Sequence, residues 1–280
     1  MNITPVTNHR EREKGVIIYP VYSRRSAGLS IGINLFPDKK TCQFDCPYCE
    51  VFPFSGNAEF SLEQMEEDLR FAIISAKEQN ITIKDICFSG NGEPTLSPFF
   101  GSAFKLAEKI RASEAPSSKL VVITNGAGLL QQQTFSLLNE TSAIDTPSYN
   151  SCIDIWLKID AGTQEWYKKI NKCELQYEKL IEKIKEFTSC ASVTIQTMLC
   201  AINGEAPSET ETRAWETLVC ELAEKKHDNI RKVQMYGKAR SAPQDPLASS
   251  LPEQYLEKRA ASLRRMFAKK GITTPVEIYI

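Results

Sequence analysis

The reading of this chain turns on Thr41-Cys42-Gln43-Phe44-Asp45-Cys46-Pro47-Tyr48-Cys49-Glu50, where three thiols are separated by three and then two residues. A single short loop can wrap thiols at this spacing round one face of a metal centre, and no fourth ligand stands nearby. A structural zinc site closes a tetrahedron with four protein ligands. An iron–sulfur cube held by three thiolates instead keeps one iron open. The triplet alone leaves both chemistries standing, so the flanking sequence must decide.

Working outward, Ile31 to Leu35 is strand-like and feeds directly into the cysteine loop. Upstream, residues 1–28 read as an N-terminal extension, in which Val16 to Tyr22 is an apolar run suited to an edge strand. The loop Ser23-Arg24-Arg25-Ser26-Ala27-Gly28 carries paired arginines that suit an anionic group or plain solvent. Downstream, Ser61 and Gln64 have capping-box spacing, and Leu62, Met65, Leu69, Ala72, Ile73 and Ala76 recur at helical period. Asp85 to Ser89 reads as a buried strand ending in Gly90-Asn91-Gly92-Glu93-Pro94-Thr95.

The pattern then repeats. A helix over 102–112 leads to a strand at Leu120 to Ile123, which leaves through Thr124-Asn125-Gly126, and a helix over roughly 128–139 precedes a strand at Ile153 to Ile159. Tyr177, Leu180, Ile181, Ile184 and Phe187 share a helical face before a strand at 192–199. A helix opened by Ser208 and Glu211 runs to about Lys226, followed by a strand at Lys232 to Tyr236 and a helix near 253–270. About six such alternations are the mark of parallel βαβ units. Along these strands Ile155, Leu157, Val193 and Ile195 point one way, while Lys158, Asp160, Gln196, Gln234 and Tyr236 point the other. A closed eight-stranded barrel packs branched residues inside. The polar face predicts instead an α/β fold built as a partial, open (β/α)6 TIM-like barrel. Each motif falls just after the C-terminal end of a strand, the edge where such folds build their sites.

Composition bounds the partners. A net charge of −1 announces no nucleic-acid footprint, although Arg24, Arg25, Lys39 and Lys40 are residues from which a local basic patch could be built. No apolar run approaches the length of a membrane span, so the expected partners include no membrane and the expected location is the cytoplasm. Cysteines 87, 152, 173, 190, 200 and 220 stand singly, unlike a secreted disulfide framework or a second metal clip. The two histidines, His9 and His227, belong to no acid–base constellation.

With the cysteine loop, the glycine-flanked Glu93 and the repeated βα units in hand, the sequence resembles the radical S-adenosylmethionine superfamily. In that superfamily the three-cysteine loop follows the first strand and a Gly-Gly-Glu-Pro-like motif follows the second; Asn91-Gly92-Glu93-Pro94 stands where that motif would be. The resemblance implies that Cys42, Cys46 and Cys49 ligate a [4Fe–4S] cluster whose open iron is chelated by the amino and carboxylate groups of S-adenosyl-L-methionine. Reductive cleavage would then give a 5′-deoxyadenosyl radical that abstracts hydrogen from an unidentified substrate, the cofactors carrying the hard chemistry. Gly90, Asn91, Gly92, Glu93 and Pro94 would receive the methionine end, Tyr48 would lie near the adenine, and Asn125, Lys158 and Asp160 would serve ribose or carboxylate. Lys158 and Asp160 also suit a mutual ion pair. An electron donor such as a flavodoxin or ferredoxin is implied, and residues 29–280 become a radical S-adenosylmethionine barrel domain closing with a C-terminal helix and strand.

A narrower resemblance runs from Tyr22 to about Pro243 through Ser23-Arg24-Arg25, Gly32-Ile33-Asn34-Leu35, Gly90 to Leu96, Asp160-Ala161-Gly162, Gln196-Thr197-Met198 and Val233-Gln234-Met235-Tyr236. These look like the iron–sulfur oxidoreductase family grouped with wybutosine biosynthesis. Wyosine synthases carry a Trp-Arg pair after the third cluster cysteine, where this chain has Glu50-Val51, and upstream cysteines for a second cluster, where residues 1–41 have none. The family's Arg-Pro-Pro is Arg240-Ser241-Ala242 here. The expectation is therefore a radical S-adenosylmethionine enzyme with about four irons per chain. Its competitors are a glycyl-radical-enzyme activase, a wyosine-type tRNA modification enzyme, and a non-catalytic zinc- or cluster-binding regulatory protein.

Overall fold

Ser61 ends an extended segment and starts the first helix, α1 (Leu62–Glu78), its Oγ accepting the Gln64 N–H at 3.3 Å. Met65, Leu69, Ala72, Ile73 and Ala76 are buried along one side, as their period requires. The computed structural model describes residues 15–144, 152–224, 229–244 and 247–280. His9, His227, Lys226 and the first part of the expected N-terminal extension lie outside these residues. The chain divides into two compact units, with described residues 15–42, 51–124 and 152–154 in the first and the remainder in the second.

The first unit carries β1 (Ile18–Ser23), β2 (Gly28–Ile33), β3 (Ile83–Phe88), α2 (Phe100–Glu114) and β4 (Lys119–Thr124). β1 runs antiparallel to β2, which makes the Val16 to Tyr22 run an edge strand, and β2, β3 and β4 are parallel. Parallel strands joined by helical crossovers are covered on both faces. Asp85, Ile86, Cys87 and Phe88 are accordingly all buried, and Phe88 meets the rings of Phe100 and Phe104 at 5.7 and 6.1 Å.

The second unit holds α3 (Gln132–Ser142), most of β5 (Ile153–Lys158), α4 (Gln164–Ile170), α5 (Tyr177–Cys190), β6 (Val193–Ile202), α6 (Glu209–Glu224), β7 (Ile230–Gly237), β8 (Ala248–Ser250), α7 (Glu253–Lys269) and β9 (Val276–Tyr279). β5, β6, β7 and β9 are parallel neighbours in that order, and β8 pairs antiparallel with the end of β6. Short elements escape periodicity. The seven-residue α4 and three-residue β8 carry too little pattern to be read in sequence, and a 3-10 turn at Ala127–Leu130 occupies the start of the helix expected from 128.

Tertiary contacts also redirect side chains. The Glu211 N–H donates to Ser208 Oγ at 3.1 Å, but its carboxylate does not return to close the capping box. It accepts from the Gly162 N–H at 2.6 Å and from Thr163 Oγ1, and Thr163 itself caps α4. A Cβ on Gly162 would lie 2.0 Å from the Trp215 nitrogen, so only glycine lets this turn lie flat on α6. On the polar face of the strands, Gln196 and Gln234 are fully buried, and Gln196 Nε2 donates to Gln234 Oε1 at 2.6 Å. The six cysteines outside the triplet are in no disulfide, four of them buried and Cys152 and Cys190 half-buried. No described helix is long and apolar enough to cross a membrane.

Candidate metal centre

In the first unit, the turn after β3 is built against the segment after β2. Asn34, which is buried, holds Val16 O with Nδ2 at 2.9 Å and accepts the Asn91 N–H at 3.0 Å and the Phe36 N–H at 3.3 Å through Oδ1. Asn91 returns Nδ2 to Phe36 O at 3.0 Å. Gly90 packs bare against the Asn34 amide. The Thr41 N–H then donates to Asn91 O and the Glu93 N–H to Thr41 O, both at 2.9 Å, so the residue preceding Cys42 is stitched to the glycine turn on both sides. Gly92, at φ +152°, passes so close that a Cβ would lie 1.8 Å from Thr41 O. Pro94 opens a 3-10 turn whose cap is the Glu93 carboxylate. Glu93 Oε1 accepts from Thr95 N at 3.2 Å, Thr95 Oγ1 at 2.6 Å and Thr124 Oγ1 at 2.7 Å.

In the second unit, the loop 43–50 is anchored by Phe44, whose ring meets Tyr167 edge-on at 5.6 Å, and by the Asp45 N–H donating to Asn171 O at 3.0 Å. Pro47 and Tyr48 occupy the middle of a turn closed by the Cys49 N–H on Cys46 O at 2.9 Å. Cys46 is buried, and Asn171 Nδ2 donates to its Sγ at 3.4 Å. Burial, helped by the Asp160 charge, pushes the free Cys46 thiol up to about 12. Glu50 pairs with Arg240 at 3.0 Å, which gives Arg240 a place at the far end of the loop.

Asp160, just past the end of β5, organises the interior of this loop. Its carboxylate accepts from Tyr48 Oη, from Met198 N at 2.9 Å, from Asn171 Nδ2 at 3.1 Å, and from Lys158 Nζ at 3.4 Å. The ion pair read as one option for Lys158 and Asp160 is formed. Lys158 Nζ also donates to Tyr236 Oη and sits 5.0 Å from the ring centres of both Tyr48 and Tyr236. Burial pushes the Lys158 ammonium down, but Asp160 and Tyr236 outweigh it and hold the group above the ordinary lysine value. Its stabilising contribution is therefore full below the ordinary lysine range and is lost only as pH rises through the higher folded value. Burial, followed by the Asp160 charge, raises the Tyr48 phenol well above its ordinary value.

The second unit thus brings Cys46, Tyr48, Lys158 and Asp160 into one hydrogen-bonded group, with Cys49 at its margin. The first unit brings Gly90 to Pro94 to the residue before Cys42. Asn125 accepts the Ala127 N–H at 2.9 Å through Oδ1 and so begins the turn after β4. Two organising residues were not singled out from sequence. Asn34 lay inside the quoted Gly32-Ile33-Asn34-Leu35 segment, a signal that could have found it. Asn171 had no local signal, because its partners are remote in sequence. Among the described residues, no three His, Cys, Asp or Glu side chains converge on one ion-sized position. A cube asks each thiolate for a different iron. A soft three-thiol donor set, with an amide N–H already aimed at one sulfur, suits such a group.

Asp160→Asn is expected to cost about 3 kcal/mol, because Lys158 then stays buried without its counter-charge. Urea denaturation of the metal-free protein measures this, and a cost below about 1 kcal/mol would mean that Tyr236 and the two rings hold the cation unaided.

Solved structures similar to this fold include radical S-adenosylmethionine enzymes. SuiB of Streptococcus suis, solved with precursor peptide SuiA, matches with a TM-score of 0.64 and 14% identity, covering 91% of this chain and 50% of SuiB. A radical SAM methyltransferase from Sphaerobacter thermophilus gives 0.62 and 13%, covering 93% and 68%. TYW1 with a lysine-pyruvate adduct bound gives 0.56 and 15%, covering 84% and 73%. The likeness gives the fold, the α/β, partial, open TIM-like barrel expected from the sequence. In sequence, the chain is similar to a UPF0026 protein of Helicobacter pylori (strain J99), 28% identical over 177 residues, or 61% of this chain and 50% of that protein. A UPF0026 protein of Methanocaldococcus jannaschii is 28% identical over 176 residues, 60% and 48% of the two chains. The chain therefore spans about half the length of these curated relatives. No family model matches the sequence.

Proposed function

We propose that this chain is a radical S-adenosylmethionine enzyme acting on an unidentified substrate, with Cys42, Cys46 and Cys49 each binding one iron of a [4Fe–4S] cluster. The observation that carries the reading is the pair of 2.9 Å hydrogen bonds joining Thr41 to the Asn91-Gly92-Glu93 turn, on a fold that radical S-adenosylmethionine enzymes share. Loop and turn are the two motifs such an enzyme must combine. When bound, and reduced by a donor such as a flavodoxin or ferredoxin, the cluster would supply one electron for reductive cleavage of S-adenosylmethionine to methionine and a 5′-deoxyadenosyl radical.

The protein's own residues bind, orient and shield. Gly90 and Gly92 let the turn close on Asn34 and Thr41, and so set the shape of the backbone that would meet the methionine end. Glu93 keeps that turn in shape through Oε1, and its negative charge would favour the ammonium group of the methionine end. Cys46 gives up its proton on binding iron, since the thiolate is the ligand. Asp160 and Lys158 hold Tyr48 in place between two of the cluster thiols in sequence, where its ring can flank the adenine. The buried group around Asp160 excludes water from that side of the loop.

Anaerobically reconstituted protein, reduced with dithionite and given S-adenosylmethionine, is expected to release 5′-deoxyadenosine and methionine. Glu93→Gln keeps an acceptor oxygen for the Thr95 and Thr124 donors while removing the charge. It should retain wild-type iron and weaken S-adenosylmethionine binding about tenfold or more, the worth of one hydrogen bond to a charged group. Fully loaded, fully reduced wild type that yields no 5′-deoxyadenosine with any of a varied set of substrates would overturn the proposal.

A further inference from the structure

Asn171 stands at the C-terminal cap of α4, 125 positions from Cys46, and is 2% exposed. Its Nδ2 faces two acceptors at once, Asp160 Oδ2 at 3.1 Å and Cys46 Sγ at 3.4 Å. A carboxylate can only accept, so the end of the amide facing Asp160 is the NH2 group, and the same group meets the sulfur. The Asn171 backbone carbonyl separately takes the Asp45 N–H at 3.0 Å. The side chain therefore aims a donor at one loop thiol, and the main chain fixes the loop beside it.

We propose that Asn171, by donating Nδ2 to Cys46 Sγ, raises the reduction potential of the iron–sulfur centre bound by the loop. This rests on the cluster assignment above. Reduction places extra negative charge on the centre and its thiolate sulfurs, and hydrogen bonds to those sulfurs are one of the levers that set the potential. An N–H dipole with its positive end toward Sγ favours the reduced state, and burial leaves no water to substitute for it. Asp160 acts in the opposite sense, as a negative charge on the same side of the thiol, and the Asn171 amide stands between the two. Removing the amide takes away the dipole and uncovers the carboxylate. Both changes make the centre harder to reduce. Asn171 is thus a tuning and positioning residue with no direct part in the chemistry.

The test is a redox titration of the anaerobically reconstituted full chain, with dithionite as reductant and the reduced cluster's electron paramagnetic resonance as signal. Asn171→Leu keeps the side-chain bulk, and Asn171→Ala guards against a folding failure of the first variant. Both are expected to shift the midpoint to more negative potential at wild-type iron content. Gln244→Leu is the control, because Gln244 Nε2 binds the Asp45 carboxylate of the same loop at 2.8 Å without being a partner of the thiol. It should leave the midpoint where it is. An unchanged midpoint in the Asn171 variants overturns the inference, as does an equal shift in Gln244→Leu or loss of the cluster from both Asn171 variants. A wild type that takes up no iron removes the cluster assignment itself, a failure visible in the iron count before any titration.

Discussion

Alanine at Cys42, Cys46 or Cys49 is expected to leave the chain without its cluster: about four irons per reconstituted wild-type chain should fall to background in each single variant. Three thiolates are the fewest that grip three corners of a cube, and losing one exposes an iron to solvent and chelators. The fold should survive. Cys46 is buried and its truncation costs on the order of 1 kcal/mol, while Cys42 and Cys49 are half-buried and cost less. Cys87→Ala and Cys220→Ala, buried positions on β3 and α6, should keep full iron. Iron counting with the visible absorbance of the cluster decides the matter. Full iron in all three loop variants would sink the assignment, and stoichiometric zinc in place of iron would turn the loop into a structural or regulatory metal site.

Gly92→Ala is expected to destabilise the first unit strongly. The new methyl would sit 1.8 Å from Thr41 O and 2.6 Å from the Thr41 carbonyl carbon, at a φ of +152° that side chains rarely adopt. Thr41 cannot step aside, because its N–H and its carbonyl are both committed to the turn that Gly92 belongs to. Clash and backbone strain together cost about 3 kcal/mol or more. Gly204→Ala provides the comparison, since Gly204 has φ +79° with nothing within 4 Å of its added Cβ. It carries only the strain of the left-handed backbone, about 1 kcal/mol. Urea midpoints of the two variants should differ accordingly, and Gly92→Ala should also bind iron poorly, because Thr41 leads into Cys42. Equal midpoints would show that the Thr41 contact yields easily and that the turn does not hold the loop.

The three-thiol loop proposed to hold the metal stands out in sequence because its cysteines lie within eight consecutive positions, where spacing alone fixes what they can reach. The Gly90 to Pro94 turn was legible for a related reason: glycines flanking a glutamate after a buried strand mark a backbone that must come close to something. What it comes close to in this structure is Thr41, and only the pairing of β2 with β3 brings those two segments together. Glu93 read as a group for a bound cofactor, yet its Oε1 is occupied by three donors from Thr95 and Thr124. A carboxylate's partners across neighbouring strands are invisible until the strands are in register.

Helical and strand periods carried the order of the elements, because apolar residues must face a core at the spacing their backbone imposes. The sequence by itself therefore determined the alternating α/β chain, the strand ends where the motifs sit and the three-thiol loop. Only the tertiary structure decided how these positions act on one another. Asn171 reaches Cys46 across 125 residues, Asp160 gathers Tyr48, Asn171, Met198 and Lys158, and Glu211 leaves its own capping box for Gly162. The physical reason is that a hydrogen bond is decided within about 3 Å in space, whereas spacing along the chain constrains only residues that share a turn, a helix face or a strand.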